Sequence, residues 1–162
     1  MKPIKVMAID PGDHIGVVIA QTWSIGEPKK DFGEEYLARG ITIEGEDRNA
    51  QLWKLLEAEK PDTIVYESFA LRGNIAKHLV GNKFVTCEVI GCIKLYFQLK
   101  SESLNIKLVS LLPGSKEYCG FSDSPKDPQF KNITMIEGTI SEHVRDAYRL
   151  YRYYKLFGSK IS

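Results

Sequence analysis

The chain has few cysteines, little net charge and no long apolar run. Its three cysteines, Cys87, Cys92 and Cys119, are odd in number and lack the spacing of metal ligands. They are therefore expected to be small core residues of a protein in a reducing cytoplasm. No segment approaches the about 18 consecutive apolar residues that a membrane span needs. The first residues run straight into a strand-like segment, so no signal peptide is expected.

The 162 residues are enough for one domain, and the whole of 1–162 is expected to form it. The net charge of +1 conceals an uneven distribution. Residues 1–70 hold 8 Lys and Arg against 13 Asp and Glu, whereas residues 71–162 hold 14 against 8. The basic half is suited to a polyanion and the acidic half to metal ligands, although uneven charge is common in soluble proteins.

Apolar periodicity and turn residues predict eight elements in the order β-β-β-α-β-α-β-α. A short turn at Pro11-Gly12 makes the first two strands an antiparallel hairpin. The later alternation of helix and strand predicts an α/β fold with a five-stranded mixed sheet flanked by helices. The predicted ranges are 4–10, 15–21, 35–43, 46–59, 63–66, 84–99, 106–112 and 141–157.

Three carboxylates stand where this order would bring them together. Asp10 ends the first strand, Glu67 ends the fourth, and Asp146 lies in the first turns of the last helix. Carboxylates this close repel one another unless a cation neutralises them, and Mg²⁺ prefers oxygen ligands. Two such ions would clamp the attacking and leaving oxygens of a phosphodiester. Asp10 alone is equally typical of an Asp-Pro-Gly turn.

His143 stands three residues before Asp146, on the same face of the predicted helix. It would either handle the attacking water or bind the metal, and the preference of Mg²⁺ for oxygen favours the first role. The alternative is a histidine at a helix start with no catalytic part, where Glu142 and Asp146 balance the helix dipole.

Two groups of basic residues are candidates for contact with nucleic acid. Arg145, Arg149 and Arg152 would form one stripe on the last helix, either along phosphates or as a solvated face. Arg72, Lys77 and Lys83 follow Glu67 in a glycine-containing stretch, which is either a basic loop over the site or a solubilising connector.

Three motifs resemble those of the RuvC-type Holliday junction resolvases of bacteria and phages. They are Ala8-Ile9-Asp10-Pro11-Gly12, Val65-Tyr66-Glu67-Ser68-Phe69 and His143-Val144-Arg145-Asp146-Ala147. Leu112-Pro113-Gly114-Ser115-Lys116 is similar to a further family stretch, and the resemblance spans nearly the whole chain. The divergent phage members are the most similar.

The resemblance implies a ribonuclease H-like fold and a crossover junction endodeoxyribonuclease of DNA recombination and repair. It implies two Mg²⁺ ions per site, for which Mn²⁺ would substitute, and no small-molecule cofactor. Metal-binding and catalytic roles fall on Asp10, Glu67, Asp146 and His143, while Lys116 would contact the scissile phosphate and Phe69 would be the junction-facing aromatic residue. The family also implies a homodimer on branched DNA in the cytoplasm of a bacterium or a phage-infected cell.

Other functions remain open at this point. A nuclease of the same fold would act on RNA or flapped duplex, and a non-catalytic member would only bind DNA. A phosphate-binding module of the sugar-kinase kind would need a second glycine-rich loop, and the sequence has none.

Overall fold

The backbone is organised around a six-stranded mixed sheet in the computed structural model, which describes residues 2–26, 38–69 and 84–161. The strands lie in the order β5-β4-β1-β2-β3-β6. β1 pairs antiparallel with β2 and parallel with β4, which places the first hairpin at the centre of the sheet. The strands are β1 Ile4–Asp10, β2 Ile15–Thr22, β3 Ala38–Ile43, β4 Thr63–Glu67, β5 Lys107–Leu111 and β6 Ile133–Met135.

The sixth strand was not predicted, and the expected count of five strands is wrong. β6 has only three residues and pairs in parallel with β3, where Ala38 lies opposite Ile133. A three-residue strand is too short to show an alternating pattern, and its place in the sheet depends on a partner far away in sequence. The mixed sheet itself is confirmed.

Three long helices are present in the described part of the chain: α1 Arg48–Glu59, α2 Val85–Leu104 and α3 Glu142–Phe157. α1 ends at Lys60, which has a left-handed backbone (φ 47°) and precedes Pro61. α2 runs five residues further than expected, to a left-handed Asn105. α3 lies where the sequence predicts it.

Alternation along the strands divides the core into two layers. On β1, Val6 and Ala8 pack with α3 on one face, while Met7 and Ile9 pack with α1 and α2 on the other. Successive residues of a strand point to opposite faces of the sheet. Because both sets of side chains are apolar here, the central strands are apolar on both sides.

The cysteines are free, and they are not all in the core. Cys119 is buried and Cys92 is partly buried, but Cys87 is exposed, so the expectation of a core residue is wrong there. In the described residues, no helix combines the length and the apolar character needed to cross a membrane.

Candidate active site

The first two carboxylates lie side by side because their strands are paired. Ile9 lies opposite Tyr66 in the parallel ladder of β1 and β4, and Asp10 and Glu67 are the next residues of each strand. Alternation turns both carboxylates toward the face covered by α3, since Ile9 and Tyr66 belong to the opposite layer. Asp10 is buried, and Glu67 is half-buried.

The first turn of α3 brings Asp146 and His143 to the same place. Ser141 caps the helix by accepting a hydrogen bond from the backbone N–H of Val144 (3.2 Å), and its hydroxyl lies 2.7 Å from that of Thr42 on β3. Gly16 of β2 lies directly beneath: a Cβ there would collide with the carbonyl oxygen of His143. The helix start can therefore approach the first hairpin closely only because residue 16 is glycine.

Lys116 joins the three carboxylates. Its Nζ lies 2.7 Å from Asp146 Oδ2, 3.3 Å from Glu67 Oε2 and 3.7 Å from Asp10 Oδ1. It belongs to a short 3₁₀ helix, Ser115–Tyr118, that follows a left-handed Gly114 (φ 87°). The backbone N–H of Gly114 donates to Glu67 Oε1 (2.9 Å), so the same turn also fixes the second carboxylate.

The electrostatics of this cluster are those of a site with excess negative charge. Burial raises the pKa of Asp10, and the charges of Asp146 and Glu67 raise it further against the opposing effects of Lys116 and His143. Burial lowers the pKa of Lys116, but its hydrogen bond to Asp146 and the charges of all three carboxylates place that pKa above the ordinary value. The cluster therefore favours a bound positive charge.

His143 lies at the edge of the cluster. Its Nδ1 is 3.3 Å from Asp10 Oδ2, and its Nε2 is 3.6 Å from Glu142 Oε1. The ring also stacks on that of His14, with centroids 5.5 Å apart and planes inclined by 18°. His143 thus contacts one carboxylate of the cluster directly while about 30% of its side chain is exposed.

The exposed arginine stripe expected on the last helix is not formed. The side chain of Arg149 is only 4% exposed; its guanidinium lies 3.3 Å from Asp146 Oδ1 and 3.1 Å from Glu117 Oε2. Arg152 is buried as well, and Arg145 is half-buried. The spacing placed these arginines on one helix face correctly, but that face packs inward, so Arg149 supports Asp146 instead of facing solvent.

Comparisons with known proteins agree with this geometry. No family model and no curated protein matches the sequence, but solved structures do. Thermus thermophilus RuvC in complex with its Holliday junction substrate superposes with a TM-score of 0.60 at 12% identity, covering 97% of this chain and 96% of that one. The chain has the RuvC-type resolvase fold.

Two other structures share the RuvC-type fold with this chain. The yeast mitochondrial Holliday junction resolvase has a TM-score of 0.55 at 14% identity, over 96% of this chain and 79% of that chain. The fowlpox virus resolvase, solved with Holliday junction DNA, has a TM-score of 0.52 at 15% identity, over 93% and 97%. At such low identity, the likeness establishes the fold.

The RuvC-type fold brings five of the predicted site residues together: Asp10, Glu67, Lys116, His143 and Asp146. Phe69 lies just beyond the end of β4, 39% exposed, with its ring edge-on to Phe84. Arg72, Lys77 and Lys83 lie outside the described residues.

Several residues of the site were missed by the sequence reasoning. Glu117 contacts Arg149, which in turn contacts Asp146, while His14 and Glu44 lie at the outer edge of the cluster. The contact between His14 and Glu44 joins residues that are 30 positions apart in the chain, so no local pattern identifies Glu44. His14 follows Pro11-Gly12-Asp13 in the hairpin turn, and that proximity to Asp10 was the available signal.

Proposed function

We propose that this chain is a metal-dependent endonuclease that cleaves branched DNA, with four-way Holliday junctions as its substrate. The observation that carries the proposal is the convergence of Asp10, Glu67 and Asp146 on one ammonium group within the RuvC-type fold. Two proteins that share this fold were solved with Holliday junction DNA. That shared fold supports a nucleic acid substrate, and the acidic cluster supports hydrolysis.

The residues present fit the divalent cations that such chemistry uses. The cluster offers three carboxylates, which are hard oxygen ligands. Burial raises the pKa of Asp10, and the neighbouring charges of Asp146 and Glu67 add to that rise. In the described residues, no group of three or more His, Cys, Asp or Glu side chains would hold a metal ion as it stands. Lys116 Nζ occupies the centre of the cluster, so metal binding requires this side chain to turn away.

Asp10, Glu67 and Asp146 are proposed to hold two Mg²⁺ ions, with Mn²⁺ as a substitute. Such ions polarise the scissile phosphate and lower the pKa of the attacking water. His143 is placed either to accept a proton from that water or to complete the ligand set, and its Nδ1 already contacts Asp10. Lys116, once turned from the carboxylates, would neutralise the scissile phosphate.

Further parts of the proposal follow from the resemblance. The chain would act as a single nuclease domain and as a homodimer, so that two sites face opposed strands of a junction in DNA recombination and repair. Phe69, Arg72, Lys77, Lys83 and Arg145 are the proposed DNA contacts outside the acidic cluster. A monomer in solution, with and without junction DNA, would remove paired cleavage from the mechanism.

The deciding experiment compares a labelled four-way DNA junction with a matched duplex, in Mg²⁺ or Mn²⁺. Wild type is expected to nick the junction selectively, and Asp146→Asn is expected to bind it without nicking. Asp123→Asn makes the same chemical change on an exposed loop and serves as the matched control.

Each other outcome points to a specific alternative. Equal cleavage of duplex would keep the nuclease and discard the junction as the preferred substrate. Cleavage of RNA or flapped duplex alone would assign the site to that substrate class. Junction binding without cleavage by wild type in either metal would leave a non-catalytic DNA-binding protein.

A further inference from the structure

A second histidine, His14, stacks on the ring of His143. The rings of His14 and His143 are nearly parallel, inclined by 18° with centroids 5.5 Å apart. His143 Nδ1 lies 3.3 Å from Asp10 Oδ2. The His143 ring is thus held by a polar contact at one edge and by a stacking contact on its face.

The stack exists because the start of α3 lies close to the first hairpin. His14 precedes β2 in the turn after β1, and Gly16 leaves room for the backbone of His143. With any larger residue at position 16, the helix start would be displaced from the turn. The same close approach that brings His143 to Asp10 therefore also brings it to His14.

His14 is itself fixed from the outside. Its Nδ1 lies 2.8 Å from Glu44 Oε2, just beyond β3. The neighbouring Asp13 accepts a hydrogen bond from Arg48 Nη1 (3.0 Å), and Arg48 Nε donates to the carbonyl oxygen of Gly45 (2.7 Å). Two polar links at the surface thus join the hairpin turn to Glu44 after β3 and to Arg48 at the start of α1.

We propose that His14 is a positioning residue whose ring, by stacking, holds the His143 imidazole toward Asp10 for the cleavage reaction. The catalytic part of this inference rests on the proposed function. About 30% of the His143 side chain is exposed, so without the stack its ring is free to rotate toward solvent. A ring held before substrate arrives keeps its reactive nitrogen in place, and misplacement of such groups lowers turnover more than binding.

A double-mutant cycle tests the kinetic consequence. His14→Ala is expected to lower kcat about tenfold and to change KM less than about twofold. His14→Phe retains a ring to stack and is expected to restore kcat to within about threefold of wild type. In the His143→Ala background, His14→Ala should have no further effect, because the ring that it positions is gone.

Two results would overturn the proposal. If His14→Ala lowered kcat by the same factor with and without His143, the two residues would act independently. If the loss fell on KM, or if His14→Phe were as impaired as His14→Ala, His14 would be a DNA contact or a hydrogen-bond donor instead of a stacking partner. The exposed position of His14 makes both of its variants compatible with folding.

A readout without substrate separates this proposal from the proposed nuclease function. The readout is the set of ring-proton NMR signals of His143, recorded for every variant in the same buffer and at the same pH. The ring-proton NMR signals of His143 should move downfield in His14→Ala and stay near their wild-type positions in His14→Phe, since an adjacent ring shields them. Unchanged signals in His14→Ala would disprove the stack. If the signals move as expected but the protein cleaves no nucleic acid, the stack stands and the proposed nuclease function is wrong.

Discussion

The face of the sheet covered by α1 and α2 is built from apolar side chains, whereas the face covered by α3 also buries polar and charged ones. Leu52, Leu56 and Ile93 represent the first layer, and all are fully buried. Among the described residues, the buried polar ones lie on α3 or on strand positions that alternate toward it: Asp10, Thr22, Thr63, Arg149, Arg152 and Lys155. Burying such groups is costly unless they are paired, and pairs such as Arg149 with Asp146 and Glu117 hold the charges of this face in a defined arrangement.

The difference separates the two tasks of the fold. The apolar layer holds β1 and β4 at a fixed distance, and the polar layer arranges the groups that the strands present at their ends. We therefore expect mutations in the first layer to change stability and mutations in the second to change activity.

The largest expected effect is on the apolar face. Leu56→Ala leaves a cavity beneath the sheet and should lower the free energy of unfolding by about 2–5 kcal/mol. Chemical denaturation measures this loss, and cleavage per folded molecule at low temperature should remain close to wild type. A large drop in kcat without loss of stability would show that the two layers are not separate in function.

The same division explains what the sequence revealed. Asp10 and Glu67 could be placed together because strand ends and their apolar neighbours are local signals, and Asp146 followed from a well-formed helical pattern. Arg149 was placed on the correct helix face, but it was expected to face solvent and is buried. Periodicity shows which residues share a helix face and does not show whether that face is covered by the rest of the protein. β6, Glu44 and Glu117 depend on contacts between distant segments, and composition carries no trace of them.

Arg149 offers the next test, on the polar face. Arg149→Met removes the cation that contacts Asp146 and Glu117, so we expect kcat to fall about tenfold, as for other residues that orient a site from behind. The dissociation constant for junction DNA should stay within about twofold, because the guanidinium is buried. Arg149→Lys keeps the charge and should recover part of kcat.

Binding measured at several salt concentrations decides between the two roles of this arginine. Weaker junction binding by Arg149→Met, with a salt slope reduced by about one, would make it a phosphate contact after all.

Lys116 sharpens the comparison because its charge occupies the place proposed for metal. At about 0.15 M salt, Lys116→Met should raise the affinity for Mg²⁺ about eightfold in the absence of DNA. A unit charge 4 Å from a divalent cation opposes its binding by about 2 kcal/mol in a water-like medium, and salt screens this repulsion to about 1.3 kcal/mol. Isothermal titration calorimetry measures this directly, with Lys131→Met, at an exposed position of the 3₁₀ helix Pro128–Asn132, as the control. Unchanged or weaker Mg²⁺ binding would show that the ammonium does not compete with the cation. Junction cleavage should fall in the same variant.

The smallest effect concerns the stability cost of Asp10 in metal-free protein. Its pKa is raised above 3.8, chiefly by burial, so the folded state keeps this proton to a higher pH than the unfolded state does. The contribution of Asp10 to stability must therefore fall as pH rises from about 3.8 through the folded-state pKa. Asp10→Asn cannot titrate, so its Tm relative to wild type should improve steadily between pH 4 and pH 7 in EDTA. Differential scanning calorimetry checks this trend, and Mg²⁺ should reduce it by stabilising the ionised carboxylate of wild type. The opposite result would be a Tm difference that moves in favour of wild type as the pH rises. It would mean that the attraction of Lys116 and His143 for the Asp10 carboxylate outweighs the cost of its burial. The charged cluster would then stabilise the folded state instead of destabilising it.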